Sequence, residues 1–380
     1  MNREKPDVYF RLKLLPSSQE SSALNRQLIE NIYTSDGQFV LAVTGGGTSF
    51  ISDLFSVPGA SGTVLEACVP YHQHALSSYL RSRVSHDCSS ATARAMAMVA
   101  YERACSFGSG KRLAGIGCTA AIATNRHRRG ADRCHVAIQL ADVTTTWDLV
   151  LDKALDRQTQ EMLCNQLLVT AAAKVSDIEA TELPDDVEVK TAEAPSDWQE
   201  LLAGRVKHTG SVQPELVFPG AFNPLHDGHR GMIEVARRRH AGDLVLELSI
   251  ENVDKPPLDY MTMSERSTAE YNLVFTRAAT FAEKSAIFPG ATFIVGLDTI
   301  VRIDDPKYYD GSQEKRDQAI DAIANRGNRF LVFGRLHDDS FQTLSDVSLT
   351  GALGRLCDEV SADEFRLDVS STELREAGSS

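Results

Sequence analysis

Residues Leu216–Arg239 read LVFPGAFNPLHDGHRGMIEVARRR, and this stretch decides the reading of the second half of the chain. Leu216, Val217 and Phe218 make a short apolar run suited to a buried parallel strand. Pro219 and Gly220 break it, and Met232, Ile233, Val235 and Ala236 resume at helical spacing. The spacing predicts strand, tight loop and helix, which is a phosphate-binding layout. Gly220 is expected where the backbone approaches a ligand closely and Pro224 where the loop is stiffened. His226 and His229, three apart at the helix start, are expected on one face. A helix N-terminus offers unpaired N–H groups and about half a unit of positive charge, so it favours an anion. Two imidazoles can donate hydrogen bonds to that same anion. The alternatives are exposed histidines at a helix start, or two ligands of a metal. A zinc site needs further His, Cys or carboxylate groups at suitable spacing, and the neighbouring sequence supplies none.

The chain has 380 residues, 42% of them hydrophobic and 24% charged, a composition ordinary for globular protein. A prior of about 150 residues per domain predicts two or three domains. Lys plus Arg number 39 against 52 Asp plus Glu, a net charge of −13. That balance argues against a broad nucleic-acid footprint while leaving room for a locally basic nucleotide pocket. The N-terminus, MNREKPDVYF, lacks an apolar core segment, and no uncharged apolar run approaches the ~18 residues of a membrane span. A soluble, cytoplasmic protein with small-molecule partners is expected, with no nucleic acid and no membrane; a homo-oligomer is left open. Seven scattered cysteines without CxxC pairs fit reduced thiols.

Both halves are expected to be α/β. In the first, a helix over residues 23–33 and the strand Phe39–Val43 lead into Thr44-Gly45-Gly46-Gly47-Thr48, after which helical spacing resumes at Phe50, Ile51, Leu54 and Phe55. This glycine turn is a candidate ligand loop, although glycine is also the default residue for any sharp turn. The basic run Arg126-His127-Arg128-Arg129 reads as a solvated turn or a phosphate clamp. A helix over Glu161–Val175 closes this domain, 1–175. Residues 176–213, rich in Asp, Glu, Pro and Thr at the outset, read as a linker with a short helix near Asp197. The second domain, 214–380, is expected to be a doubly wound parallel sheet. Its next strand is Asp243–Ile250, followed by a loop carrying Lys255, a helix over Ser264–Ala279, and strands near Ala291–Val295 and Phe330–Phe333. Gly296 and Asp298 stand at a strand end, where doubly wound sheets bind ligands. Near the C-terminus, Ser370-Ser371-Thr372-Glu373-Leu374-Arg375 reads either as an ordinary helix cap or as a second anion site.

The run Gly220-Ala221-Phe222-Asn223-Pro224-Leu225-His226-Asp227-Gly228-His229 resembles the signature of the HxGH nucleotidylyltransferases. The Ser370–Arg375 run is similar to the ISSTxxR motif of their nicotinamide and nicotinate mononucleotide adenylyltransferase members. The resemblance implies a Rossmann-like domain that transfers AMP from ATP, with Mg²⁺, to a phosphorylated acceptor such as a pyridine mononucleotide, as in NAD biosynthesis. It implies catalytic roles for His226, His229 and Arg375. Nucleotide contacts are implied for Gly220, Ala221, Phe222, Asn223, Gly228, Lys255, Gly296, Asp298, Ser370, Ser371 and Thr372, with no protein metal ligands. CTP in place of ATP, and the acceptor, stay open. Residues 20–175, through the glycine turn, Val57-Pro58-Gly59 and Gly115–Ala123, resemble the C-terminal domain of the CinA family, whose active members deamidate nicotinamide mononucleotide. Here Val43 and Thr44 stand where that family has an acidic residue and a serine, which favours a degenerate domain. The alternatives are a bifunctional deamidase-adenylyltransferase and a nucleotide sensor without turnover.

Overall fold

The computed structural model describes residues 18–82, 87–110, 112–126, 128–180, 182–210, 213–252, 255–337 and 340–366. The chain divides into two compact units. The first contains residues up to 194 together with 255–261, and the second contains 195–252 and the residues from 262 onward.

In the first unit, helix α1 (Ser18–Tyr33) leads into β1 (Gly37–Thr44), followed by α2 (Ser49–Ser56), β2 (Val64–Cys68), α3 (Gln73–Tyr79) and α4 (Ser90–Phe107). Strands β3 (Arg112–Ala121), β4 (Asp132–Gln139) and β5 (Val143–Leu151), helix α5 (Arg157–Val175) and β6 (Glu188–Glu193) complete it. The sheet order is β2-β1-β3-β4-β5-β6. β1 pairs in parallel with β2 and β3, and the remaining pairs are antiparallel. β1 is apolar on both faces because both are covered. Phe39, Leu41 and Val43 pack with Ile29, Ile32, Phe50, Leu54 and Leu168, while Val40 and Ala42 pack with Ala100, Met96 and Val99 of α4. On the α4 face, Gly115 and Gly117 let the helix backbone approach the sheet. A Cβ at Gly115 would run into the Ala97 carbonyl and the Tyr101 amide nitrogen.

The stretch read as a linker is structured. β6 extends the first sheet through Val143↔Glu193 to Asp148↔Glu188, its mostly exposed, charged side chains suiting an edge strand. Helix α6 (Ser196–Leu202) belongs to the second unit, where Leu201 is buried and the Trp198 ring meets Phe275 edge-on at 5.0 Å.

The second unit contains β7 (Leu216–Pro219), α7 (Asp227–Arg239), β8 (Leu244–Ser249), α8 (Tyr260–Arg266, which starts within 255–261), β9 (Leu273–Thr276) and α9 (Phe281–Ile287). It continues with β10 (Thr292–Gly296), α10 (Leu297–Asp304), α11 (Gln313–Asn325), β11 (Arg329–Phe333), the hairpin β12 (Arg335–His337) and β13 (Ser340–Gln342), α12 (Gly351–Gly354) and β14 (Cys357–Val360). Its six-stranded sheet runs β14-β11-β10-β7-β8-β9, and every pair is parallel. Counted within the unit this is strand order 6-5-4-1-2-3, the doubly wound arrangement, with its reversal point between β7 and β10. The expected helix over Ser264–Ala279 is corrected here. It stops at Arg266, and Leu273-Val274-Phe275-Thr276 pairs with β8 from Leu246↔Leu273 to Ser249↔Thr276. Its apolar run satisfies the edge of β8 better than a helical turn would.

A buried polar knot fixes β8, β9 and α9. Lys284 Nζ donates to both oxygens of Glu247 at 2.7 and 2.8 Å and to the Ala278 carbonyl at 2.9 Å, and the Thr276 hydroxyl also donates to Glu247. Removing one partner of such a pair leaves an uncompensated buried charge.

The close approach of α4 gives a test of the first unit. Gly115→Ala is expected to destabilise it by about 1–3 kcal/mol through overpacking, seen as a lower chemical-denaturation midpoint for the unit carrying Trp147.

Candidate functional site

Doubly wound sheets bind ligands in a crevice beyond the C-terminal strand ends at the reversal point, which in the second unit lies between β7 and β10. After β7, the Gly220 amide donates to the Glu247 carbonyl at 2.9 Å. The chain then turns at Phe222, whose φ of 44° lies in the left-handed region. That turn swings the Phe222 ring back over Gly220, where a Cβ would meet it at 2.7 Å. Phe222 therefore requires a glycine at position 220. Ala221 and Asn223 are exposed on the loop, and Gly228 is buried in the first turn of α7.

Helix α7 begins in an unusual way. His226 is its N-cap in extended conformation, and its backbone N–H donates to Nδ1 of His229 at 3.2 Å. A histidine thus fills the place that a glutamate takes in the common capping box. The rings of His226 and His229 stack at 3.7 Å, and the edges of Phe218 and Phe222 close on His229 at 5.7 and 5.4 Å. Because Nδ1 of His229 accepts, the proton of its neutral ring sits on Nε2, which becomes a fixed donor. Burial holds the His226 imidazole below its ordinary range. Burial first, and then the neighbouring His226 and Arg230, push His229 down to about 4. Both rings are neutral donors at neutral pH, and positive potential comes from the helix terminus. Arg230 is committed elsewhere, with two 3.0 Å bonds to Glu270 and a 3.1 Å bond to Asp227.

Beyond β10, Gly296 caps α10 with open space where a Cβ would stand, so a ligand can approach it. Asp298, in the first turn of α10, is ion-paired with Arg335. In sequence Arg335 is marked only as a basic residue just past the strand-like Phe330–Phe333. Lys255 is exposed and lies in the segment 255–261 that groups with the first unit. Ser370, Ser371, Thr372 and Arg375 lie outside the described residues. The chain leading to them is tied to α7. A Cβ at Gly231 would meet the Phe365 ring at 2.7 Å, Arg239 is ion-paired with Glu364, and the Arg366 guanidinium lies 5.5 Å from the centre of the Phe341 ring.

In the first unit, Thr44 is buried at the end of β1, and Gly45 and Gly47 have φ of 85° and 84°. Glu161 of α5 holds part of this turn. Its carboxylate accepts from the Gly47 amide at 2.8 Å, the Ser49 amide at 3.0 Å and the Thr48 hydroxyl at 3.2 Å. Thr48, Ser49, Arg157, Gln158 and Glu161 line an open cavity of about 520 Å³ beside it. Of the basic run, Arg128 is held by Asp132 and donates to the Ile122 carbonyl at 2.8 Å, which is a structural use rather than a clamp. Among the described residues no group of three or more His, Cys, Asp or Glu side chains converges as a metal site, and no helix is long and apolar enough to cross a membrane.

Residues 217–377 match the cytidylyltransferase-like family, so the second unit carries a cytidylyltransferase-like domain on its doubly wound sheet. Within that class, the chain is 30% identical over 141 residues to the "Putative nicotinamide mononucleotide adenylyltransferase" of Schizosaccharomyces pombe, a match covering 33% of this chain and 55% of that protein. The chain thus spans about half the length of the curated relative it matches. Among solved structures, the competence/damage-inducible protein CihA of Agrobacterium tumefaciens matches 43% of this chain and 96% of its own, at 18% identity and a TM-score of 0.33. A competence-damaged protein (CinA) superfamily protein of Escherichia coli matches 45% of this chain and 98% of its own, at 17% identity and a TM-score of 0.28.

The His229 geometry predicts a titration. Its ring nitrogens, followed by NMR, should protonate near pH 4 rather than 6.5, and the midpoint should rise when pyrophosphate is added, because an anion favours the charged ring. The native state binds fewer protons than the unfolded state in this window. The stability that His229 contributes is therefore complete above about pH 6.5 and lost as pH falls toward 4. A midpoint at the ordinary value would mean that the Nδ1 contact and the burial do not persist in solution.

Proposed function

We propose that the second domain transfers AMP from ATP to the phosphate of a pyridine mononucleotide, with release of pyrophosphate, as a soluble enzyme of NAD synthesis in the cytoplasm. The observation that carries this reading is the pair of neutral, oriented histidines at the start of α7, on the reversal point of a doubly wound sheet. The match to a nicotinamide mononucleotide adenylyltransferase relative supports ATP and the pyridine mononucleotide over other nucleotides and acceptors.

An oxygen of the acceptor phosphate attacks the α-phosphorus of ATP as the bond to the bridging oxygen of the β-phosphate breaks, and that oxygen leaves with pyrophosphate. No protein nucleophile is needed. The protein's part is positioning and charge stabilisation. His226 and the Nε2–H of His229 donate to the phosphate oxygens, and the amides of the first turn of α7 add to them. Arg375, with Ser370, Ser371 and Thr372, brings the cation and further donors from a segment inside the family match. Gly296 and Asp298 face the nucleoside. The donors of the histidine loop suit an anion rather than a metal, so Mg²⁺ fits as a companion of the triphosphate, whose charge it neutralises.

The first domain we read as without deamidase turnover. Val43 and Thr44 replace the acidic residue and serine of the CinA pattern, and Glu161 already accepts from the Gly47 and Ser49 amides.

Pyrophosphate release from ATP and CTP across nicotinamide mononucleotide, nicotinate mononucleotide and other phosphorylated acceptors tests the reading. His229→Ala should lose about 10²–10³ in rate while staying folded. Arg375→Lys should use ATP more weakly, because charge without the planar fork loses two-point contact with phosphate. Near-normal turnover by a folded His229→Ala variant would remove the proposed role of the histidine pair. Release of ammonia from nicotinamide mononucleotide would establish the bifunctional alternative.

A further inference from the structure

At the ends of β10 and β11, Gly296 and Phe333 stand opposite each other in register. Asp298 lies two residues beyond the first and Arg335 two beyond the second, and the Arg335 guanidinium is ion-paired with Oδ2 of Asp298. The pair therefore bridges the exits of neighbouring parallel strands, on the edge where the β7–β10 crevice opens. Arg335 leaves its strand through a tight passage. A Cβ at Gly334 would stand 2.6 Å from the Gln342 carbonyl oxygen and 2.7 Å from the Phe341 ring, so the hairpin folds directly over that glycine.

The two side chains keep 48% and 42% of their exposure, and ion pairs this open contribute about 0–1 kcal/mol to stability. The fold gains little from the contact. Its electrostatic consequence at the crevice is larger. His226 and His229 are neutral, and Arg230 is held by Glu270 and Asp227. A bare Asp298 carboxylate would repel a triphosphate, and a paired one does not.

We propose, on the basis of the transferase reading above, that Arg335 is a positioning residue for the nucleotide. By taking Oδ2 it neutralises Asp298 and fixes its carboxylate. Oδ1 then accepts a hydrogen bond from a hydroxyl or amino group of the nucleoside portion of ATP. A carboxylate only accepts, so the nucleotide must supply the donor.

The test uses the full chain and ATP as the probe. ATP binding by calorimetry and steady-state pyrophosphate release are measured for the wild type, Arg335→Ala, Arg335→Lys, Asp298→Asn and the Arg335→Ala/Asp298→Asn double variant. Arg335→Ala should raise Kd and KM for ATP about tenfold, and Arg335→Lys should recover most of the loss. kcat should change by less than about threefold, since the contact is made equally before and during reaction. In the Asp298→Asn background, Arg335→Ala should have little further effect. Unchanged ATP affinity in Arg335→Ala, or an equal loss in both backgrounds, would overturn the proposal. A wild type that binds ATP but transfers to none of the acceptors would remove the transferase reading, and the binding series would still decide the role of Arg335.

Discussion

One hydrogen bond organises the crevice of the second unit: the backbone N–H of His226 on Nδ1 of His229. It turns a helix start, which has amides to satisfy, into a device that also fixes a tautomer. Had residue 229 been the glutamate of the common capping box, the amide would be satisfied just as well, but no imidazole would be held there with its proton fixed on Nε2. The stacked His226 and the Phe218 and Phe222 edges confine that ring further. The price is a basicity far below that of a free histidine, which suits a group needed as a hydrogen-bond donor rather than as a standing positive charge. The left-handed Phe222 and the side-chain-free Gly220 follow from the same requirement, since the ring that walls His229 must lie on the loop that carries it.

The sequence made this loop readable because its parts are local. A strand, a break and two histidines three residues apart all fall within one window, and the periodicities on either side are strong. Local signals also brought out β1, β7 and the glycine turn. What escaped is decided by distant partners. Leu273–Thr276 has too few residues to declare its period, and it becomes a strand because β8 has an edge to be paired. The residues of β6 look like linker by composition, yet they complete the edge of the first sheet. Glu161 follows the turn it caps by more than a hundred residues, with nothing in its helix to mark it out. Arg335 and Asp298 likewise meet only because β10 and β11 are neighbours in register.

Glu161 also shows how amides of a strand–glycine–helix turn can be met from within the chain. The left-handed glycines and the start of α2 create a concentration of amide donors, and an anion must be found for them. Here the chain provides a carboxylate from α5, which ties two helices and the end of β1 together. A strand–glycine–helix pattern thus identifies an anion site, while whether the anion is a ligand or a side chain is settled elsewhere in the chain.

The grouping of residues 255–261 with the first unit has a consequence for how the protein is made. Tyr260 is fully buried there, its hydroxyl donating to the Ala141 carbonyl at 2.6 Å and its amide to the Thr144 hydroxyl at 3.1 Å. During synthesis from the N-terminus, the first unit cannot bury Tyr260 until this segment has left the ribosome, and by then β7, α7 and β8 have already emerged. The usual order, in which an N-terminal domain is finished before the next begins, does not apply. The β7–α7–β8 crossover, whose two strands pair with each other, can thus form before the first unit receives Tyr260.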